Sequence, residues 1–304
     1  MPLQANLPLR EGHQLENYRI ERVLAAGGFS FVYLARDERG APVAIKEYLP
    51  STLKLRIDDT MRPHVADTEL ARFHFGLKCF FEEGRALARL EHPNVVRVLN
   101  FFRANETVYL VMRYERGRSL QEHIRDRRKG APLEELWFRT TFAQLLDGLR
   151  EVHKNKLLHL DIKPGNVYLR EDGSPILIDF GGARQALADE GLKLPPIYTP
   201  GFASPEHHNN HALLGPWSDI YSIGATMYSC LARAAPQNAL GRVEKDLVVP
   251  AAEAWAGKVA DDLLAIIDWC LRLEHLERPQ SVFALQKALL GEKPPERHSP
   301  KVAG

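Results

Sequence analysis

Residues 18–48 carry short apolar runs broken by turn residues, the pattern of antiparallel strands. Residues 18–24 and 29–35 are rich in β-branched and aromatic side chains, Asp37-Glu38-Arg39-Gly40 supplies a turn, and residues 41–48 form a third strand. Over residues 67–90 the apolar period lengthens to that of a helix, with Leu70, Phe73, Leu77, Phe80, Leu87 and Leu90 on one stripe. Residues 95–102 and 107–114 return to strand-like content. Beyond Gly117 the pattern is mostly helical. Ser119 and Glu122 form a capping box that starts a helix at Leu120. Pro132, followed by Glu134 and Glu135, opens another helix with Leu136, Phe142, Leu145, Leu149 and Val152 on its apolar face. Residues 167–169 and 176–178 are short strands joined at Asp172-Gly173. Helical patterns resume at 219–232, 261–273 and 281–289.

The expected architecture is α+β and bilobal. An N-terminal tail (1–17) precedes a small antiparallel β lobe with one main helix (18–115, insert 49–78), a larger mostly helical lobe (116–290) and a Pro-rich, charged tail (291–304) that should be disordered. A nucleotide site between two such lobes is the natural expectation. With 40 Lys plus Arg against 39 Asp plus Glu, the charge balance gives no reason for a nucleic-acid partner. Cys79, Cys230 and Cys270 are too far apart for a metal knuckle and read as packed, reduced thiols. No apolar run reaches the roughly 20 residues needed to span a bilayer, so a cytoplasmic protein is expected. A membrane partner would require the chain to continue past residue 304.

The chemistry concentrates in two stretches. Asp161 lies in His159-Leu160-Asp161-Ile162-Lys163-Pro164-Gly165-Asn166, and Asp179 lies in Ile178-Asp179-Phe180-Gly181, on the two arms of one hairpin. Asp179 and Asn166 offer the oxygen ligands that Mg²⁺ prefers, with Mn²⁺ as a substitute, and Asp161 remains to align a hydroxyl or accept its proton. His207, His208 and His211 have no carboxylate or thiol at ligand spacing and read as solvated loop histidines.

These residues, with others in the same order, resemble the protein-kinase signature set. Val43-Ala44-Ile45-Lys46 resembles the strand of the phosphate-contacting lysine, and Glu83 its helix partner. His159 to Asn166 resembles the catalytic loop, Asp179-Phe180-Gly181 the metal-binding motif, and Ala203-Ser204-Pro205-Glu206 the end of the activation segment. Asp219 and Arg278 resemble two structural residues, with Arg278 expected to pair with Glu206. The likeness spans about residues 18–290 and implies an ATP- and Mg²⁺-dependent kinase acting on protein hydroxyls. Lys163 and Thr199 resemble the serine/threonine branch, and Lys46-Glu47-Tyr48-Leu49-Pro50 resembles bacterial members.

By the same resemblance, Lys46, Glu83, Asp161 and Lys163 are catalytic, and Asn166 and Asp179 hold metal. Ala25, Gly27, Gly28 and Ser30 form the phosphate loop, which keeps only the middle glycine, Gly27, of the family's three. Val32, Ala44, Met112, Arg113, Glu115 and Tyr168 would frame the adenine. Leu160 stands where many regulated kinases carry an arginine that docks an activation-segment phosphate, and residues 182–197 contain no Ser, Thr or Tyr. Phosphorylation of that segment is therefore not the expected switch. The insert after Lys46 either braces or releases the Glu83 helix, or only adds packing on the small lobe. The competing readings are an ATP-binding pseudokinase scaffold and a small-molecule kinase. Substrate identity, upstream signal and oligomeric state are not written in the sequence.

Overall fold

A computed structural model describes residues 6–53, 55–56, 61–127, 134–180, 198–209 and 213–291. The chain divides into two compact units, Met1–Arg118 with Leu169–Ile197, and Ser119–Tyr168 with Tyr198–Gly304. The expectations about Pro132, Gly181, His211, residues 182–197 and the tail beyond Gly291 lie outside the described residues.

The first unit is built on strands β1 (Gln14–Leu15), β2 (Tyr18–Ala26), β3 (Ser30–Arg36), β4 (Pro42–Tyr48), β5 (Val98–Ala104) and β6 (Thr107–Arg113). They form one antiparallel sheet in the order β1-β2-β3-β4-β6-β5. Helix α1 (Leu70–Leu87) packs on β5 and β6 and buries Phe73, Phe80 and Leu87, as its apolar period requires. Gly84 lies on this helix where a Cβ would collide with Leu110 of β6 at 2.6 Å, so glycine permits the close approach. β1 was not announced by the sequence pattern. Leu9 and Leu15 are nonetheless buried, so the part of the expected tail that the structure describes packs on the sheet.

A second sheet has the order β7-β8-β9, from β7 (Gly117–Ser119), β8 (Val167–Arg170) and β9 (Pro175–Leu177). Gly117 has φ +151, and a Cβ there would strike the Leu169 carbonyl, so only glycine serves at this turn.

The second unit contains α2 (Leu120–Asp126), α3 (Glu135–Lys154), α4 (Pro205–Asn209), α5 (Pro216–Ala232), α6 (Ala239–Glu244), α7 (Ala251–Ala254), α8 (Asp261–Cys270) and α9 (Val282–Leu289). The predicted capping box forms at α2, where the Ser119 hydroxyl accepts from the Glu122 amide and the Glu122 carboxylate accepts from the Ser119 amide. In α3, Phe142, Leu145, Leu149 and Val152 are buried as expected, but Leu136 is 81% exposed. It sits in the first turn of the helix, where the period alone cannot say how far the neighbouring helices reach. α5 packs on α8 and α3 on α9. Cys79, Cys230 and Cys270 are buried thiols outside any disulfide, and burial pushes the Cys230 thiol up to about 12. Among the described residues, no helix is long and apolar enough to cross a membrane.

One buried ion pair fastens the start of α4 to the loop before α9. Arg278 donates through both terminal nitrogens to Glu206, at 2.7 and 3.0 Å, and the Ser218 hydroxyl donates to the same carboxylate at 2.7 Å. Burial pushes the Glu206 carboxyl up, but the Arg278 guanidinium outweighs it and holds the group low. Glu206→Gln strands a buried guanidinium. The expected loss is about 3–5 kcal/mol, measured by chemical denaturation.

Candidate active site

The first unit gathers Lys46, Glu83 and Asp179. Lys46 is buried on β4, in register with Val32 on β3, and its Nζ donates to Asp179 Oδ1 at 2.6 Å. The same nitrogen lies 3.9 Å from Glu83 Oε1 and 5.4 Å from the centre of the Phe80 ring. The lysine therefore touches both carboxylates, with the shorter contact to Asp179. Asp179 is 42% exposed at its side chain, whereas Glu83 is buried.

Asp179 reaches this place because β9 is stitched to the segment after α1. The Leu177 amide donates to the Asn94 carbonyl at 2.8 Å, the Val96 amide donates to the Leu177 carbonyl at 2.9 Å, and Asn94 Nδ2 donates to the Pro175 carbonyl at 2.7 Å. The chain then turns through left-handed backbone at Asp179, φ +59, a conformation Asp tolerates better than most residues. Buried Phe180 follows.

Val32, Leu34, Ala44, Lys46 and Met112 lie on one face of the sheet, since Val32 pairs with Lys46, Leu34 with Ala44 and Ala44 with Met112. Ala25 and Val32 face each other at the mouth of the β2–β3 hairpin, whose turn closes as the Gly27 amide donates to the Ser30 carbonyl at 2.9 Å. Gly28 lies in the same turn, and Ser30 is buried. Arg113 ends β6 and is exposed. Glu115, expected only to frame adenine, is held by Arg170 through bonds of 2.9 and 3.2 Å, and Arg170 also donates to the Pro93 carbonyl at 2.8 Å. Nothing in the local sequence singles out Arg170.

The second unit gathers Asp161, Lys163, Asn166 and Thr199. Asp161 Oδ2 accepts from Lys163 Nζ at 2.7 Å and from Asn166 Nδ2 at 2.9 Å, and Asp161 Oδ1 accepts from the Thr199 hydroxyl at 2.8 Å. Lys163 Nζ also donates to Thr199 Oγ1 at 2.7 Å. Asn166 Nδ2 donates again to the Asp161 carbonyl at 2.8 Å, which commits its nitrogen and leaves the amide oxygen as the acceptor for a hard cation. Tyr168 lies on β8 of this unit, two residues after Asn166.

Behind this cluster stands Asp219, fully buried in the first turn of α5. It accepts from the His159 amide at 2.9 Å and the Leu160 amide at 2.7 Å, and His153 Nε2 is 2.7 Å away. Leu160 has φ +59, a left-handed turn that costs a branched side chain roughly 1–2 kcal/mol. The two amide bonds hold it there. Burial pushes the Asp219 carboxyl up, yet the His153 and His159 contacts outweigh that and hold it low. His153 is a member of this site that sequence reasoning passed over, because its partner lies 66 positions away. His207 and His208 are not the solvated loop residues expected: both lie in α4, where His207 is buried and His208 packs edge-on against the Tyr198 ring, a contact 10 positions away that the local sequence does not show.

The depressed Asp219 carboxyl has a consequence for stability. As pH falls, the unfolded chain binds this proton first, at the ordinary aspartate value of about 3.9. The contribution is present above that value and is lost as pH falls through the lower folded one. Asp219→Asn should be less stable than the wild type at pH 7 and lose less further stability between about pH 5 and pH 3, as read by denaturant melts across pH.

A family model described as protein kinase domain matches residues 18–290. The chain is 30% identical to mouse serine/threonine-protein kinase Nek3 over 219 residues, covering 72% of this chain and 38% of that protein. It is 27% identical to serine/threonine-protein kinase D of Synechocystis sp. over 293 residues, covering 90% of this chain and 52% of that protein. The chain thus spans about a third to a half of these curated relatives. Among solved structures, the PpkA-294 apo form is 28% identical with a TM-score of 0.82, covering 93% of this chain and 99% of that one. The Mycobacterium tuberculosis PknI kinase domain, at 22% identity and a TM-score of 0.69 over 94% of this chain and 100% of that one, shares the fold. The ordered signature residues and this match across nearly the whole chain agree: the chain belongs to the protein kinase domain family, among eukaryotic-type serine/threonine kinases with bacterial relatives.

Proposed function

We propose that this chain transfers the γ-phosphoryl group of ATP to Ser or Thr hydroxyls of protein substrates. The observation that carries the reading is the closure of Lys163, Asn166 and Thr199 around the Asp161 carboxylate. A carboxylate fixed by three donors keeps one orientation, so it can align an incoming hydroxyl and take its proton late in the transfer. Lys163, bridging Asp161 and Thr199, is placed to meet negative charge that develops on the transferred group. In the other unit Lys46 supplies a cation for phosphate oxygens, and Glu83, 3.9 Å away, helps hold its side chain in place.

Each unit offers a group suited to Mg²⁺: Asp179 in the first a partly exposed carboxylate, and Asn166 in the second an amide whose nitrogen is already committed. The bound ion would supply charge neutralisation for the triphosphate. The phosphate loop departs from the family at Ala25 and Ser30, and the Gly27 amide is engaged by Ser30. That engagement is the one observation favouring the rival reading, an ATP-binding scaffold without transfer.

Two measurements separate these readings. With labelled ATP, Mg²⁺ and a generic basic protein, the wild type should label the acceptor, and Asp161→Asn or Lys46→Met should lower transfer by at least about 10²-fold. Absence of wild-type transfer alongside nucleotide binding would establish the scaffold instead. Leu160 is buried and aliphatic and cannot dock a phosphate, so phosphatase-treated protein should keep its full rate. Activity regained only on phosphorylation of Tyr198, Thr199 or Ser204 would contradict this.

A further inference from the structure

We propose that the insert after Lys46 is a brace for the phosphate loop, with Arg56 as its anchoring, positioning residue. The inference rests on the kinase reading for its effect on ATP, but the brace itself is a matter of geometry within the first unit.

The anchor begins one residue after Lys46. Glu47 is fully buried on the opposite face of β4, and its carboxylate meets four donors. Arg56 grips both oxygens at 2.8 Å, the Tyr33 hydroxyl donates at 2.6 Å and the Tyr109 hydroxyl at 2.8 Å. Burial alone would lower the Arg56 proton affinity, but bonding to Glu47 outweighs it and raises the guanidinium above its ordinary value. Arg56 then reaches the N-terminal segment. Its Nε donates to the Leu7 carbonyl at 2.7 Å, its own amide donates to Asn6 Oδ1 at 3.0 Å, and its carbonyl accepts from the Leu7 amide at 2.7 Å. Asn6 Nδ2 closes the circuit on the Pro50 carbonyl at 3.1 Å.

Pro50 lies between the two residues that touch the phosphate loop. The Leu49 amide donates to the Phe29 carbonyl at 2.9 Å, and the Ser51 amide donates to the Gly28 carbonyl at 2.8 Å. Both carbonyls are thus turned toward the insert. In a trans peptide the following N–H points the other way, so the Phe29 and Ser30 amides are aimed off the insert. A loop that has exchanged two of the family's three glycines for alanine and serine is here held by outside hydrogen bonds, in the orientation that presents amides to an anion. Many loops of this kind rely on glycine freedom; this one is tied down from the side.

Arg56→Met alone would leave a buried carboxylate unpaired and risks unfolding. The test therefore uses the double variant Glu47→Gln/Arg56→Met, checked for a cooperative melt, beside Arg56→Lys and the wild type. In the nucleotide-free protein, amide exchange over residues 27–30 should quicken by about fivefold or more in the double variant. KM for ATP should rise about tenfold with kcat within about twofold, the split expected when binding alone is weakened. Arg56→Lys, which keeps the charge but not the fork, should fall between. Unchanged exchange in a folded double variant overturns the brace. Quickened exchange with KM unchanged, or a fall in kcat at constant KM, overturns its positioning role. A wild type that takes up no Mg·ATP in a calorimeter overturns the kinase reading and the effect on ATP together, while exchange still decides whether the insert restrains the loop.

Discussion

The left-handed backbone at Leu160 is a conformation that a leucine does not adopt unaided, and Asp219 is what keeps it there. A carboxylate with no solvent must find donors, and the amides of His159 and Leu160, leading into the turn, supply them. Each group answers the other's need: the buried acid is satisfied, and the strained turn is fixed. Asp161 follows directly on that turn, and the bonds from Lys163, Asn166 and Thr199 refine an orientation the backbone has already set.

The same device recurs. Glu206 is buried and locked by Arg278 and Ser218, which fastens α4 at the end of the segment that carries Thr199. Glu47 is buried and locked by Arg56 and two tyrosines, which ties the insert and the N-terminal segment to the strand of Lys46. In each case removing one partner is far more damaging than the net worth of the pair, because the survivor stays buried with its charge. Such pairs act as specific fasteners, and each stands beside a segment that carries a candidate site residue. The exposed ion pairs, such as Arg62 with Glu106 at 3.3 Å, contribute little by comparison.

Lys46 shows how charge is held ready. Its nitrogen makes the short contact with the partly exposed Asp179 and the long one with buried Glu83, while the Phe80 ring lies close by. Two carboxylates thus share one ammonium, and the nearer of them is the one that water reaches. The stitching of β9 to residues 94–96 puts Asp179 there.

Periodicity and short-range signals settled a great deal by themselves. The three strands that lead to Lys46, the apolar stripe of α1, the capping box at Ser119 and the turn at Gly173 are local, so a window of a few residues contains the whole physical cause. Resemblance to ordered family motifs singled out Lys46, Glu83, Asp161, Asn166 and Asp179 as candidate site residues, because each motif is a short stretch readable on its own. Leu136 misled because an apolar residue at the right phase says nothing about whether a neighbour covers it. Asn6, Arg56, Arg170 and His153 gave no signal, since a polar residue in a polar stretch looks the same whether it meets water or a buried partner. Glu47 with Arg56, Asp219 with His153, and Glu115 with Arg170 were decided only when the chain folded, because desolvation and hydrogen-bond geometry exist between residues far apart in sequence and belong to no single stretch of it.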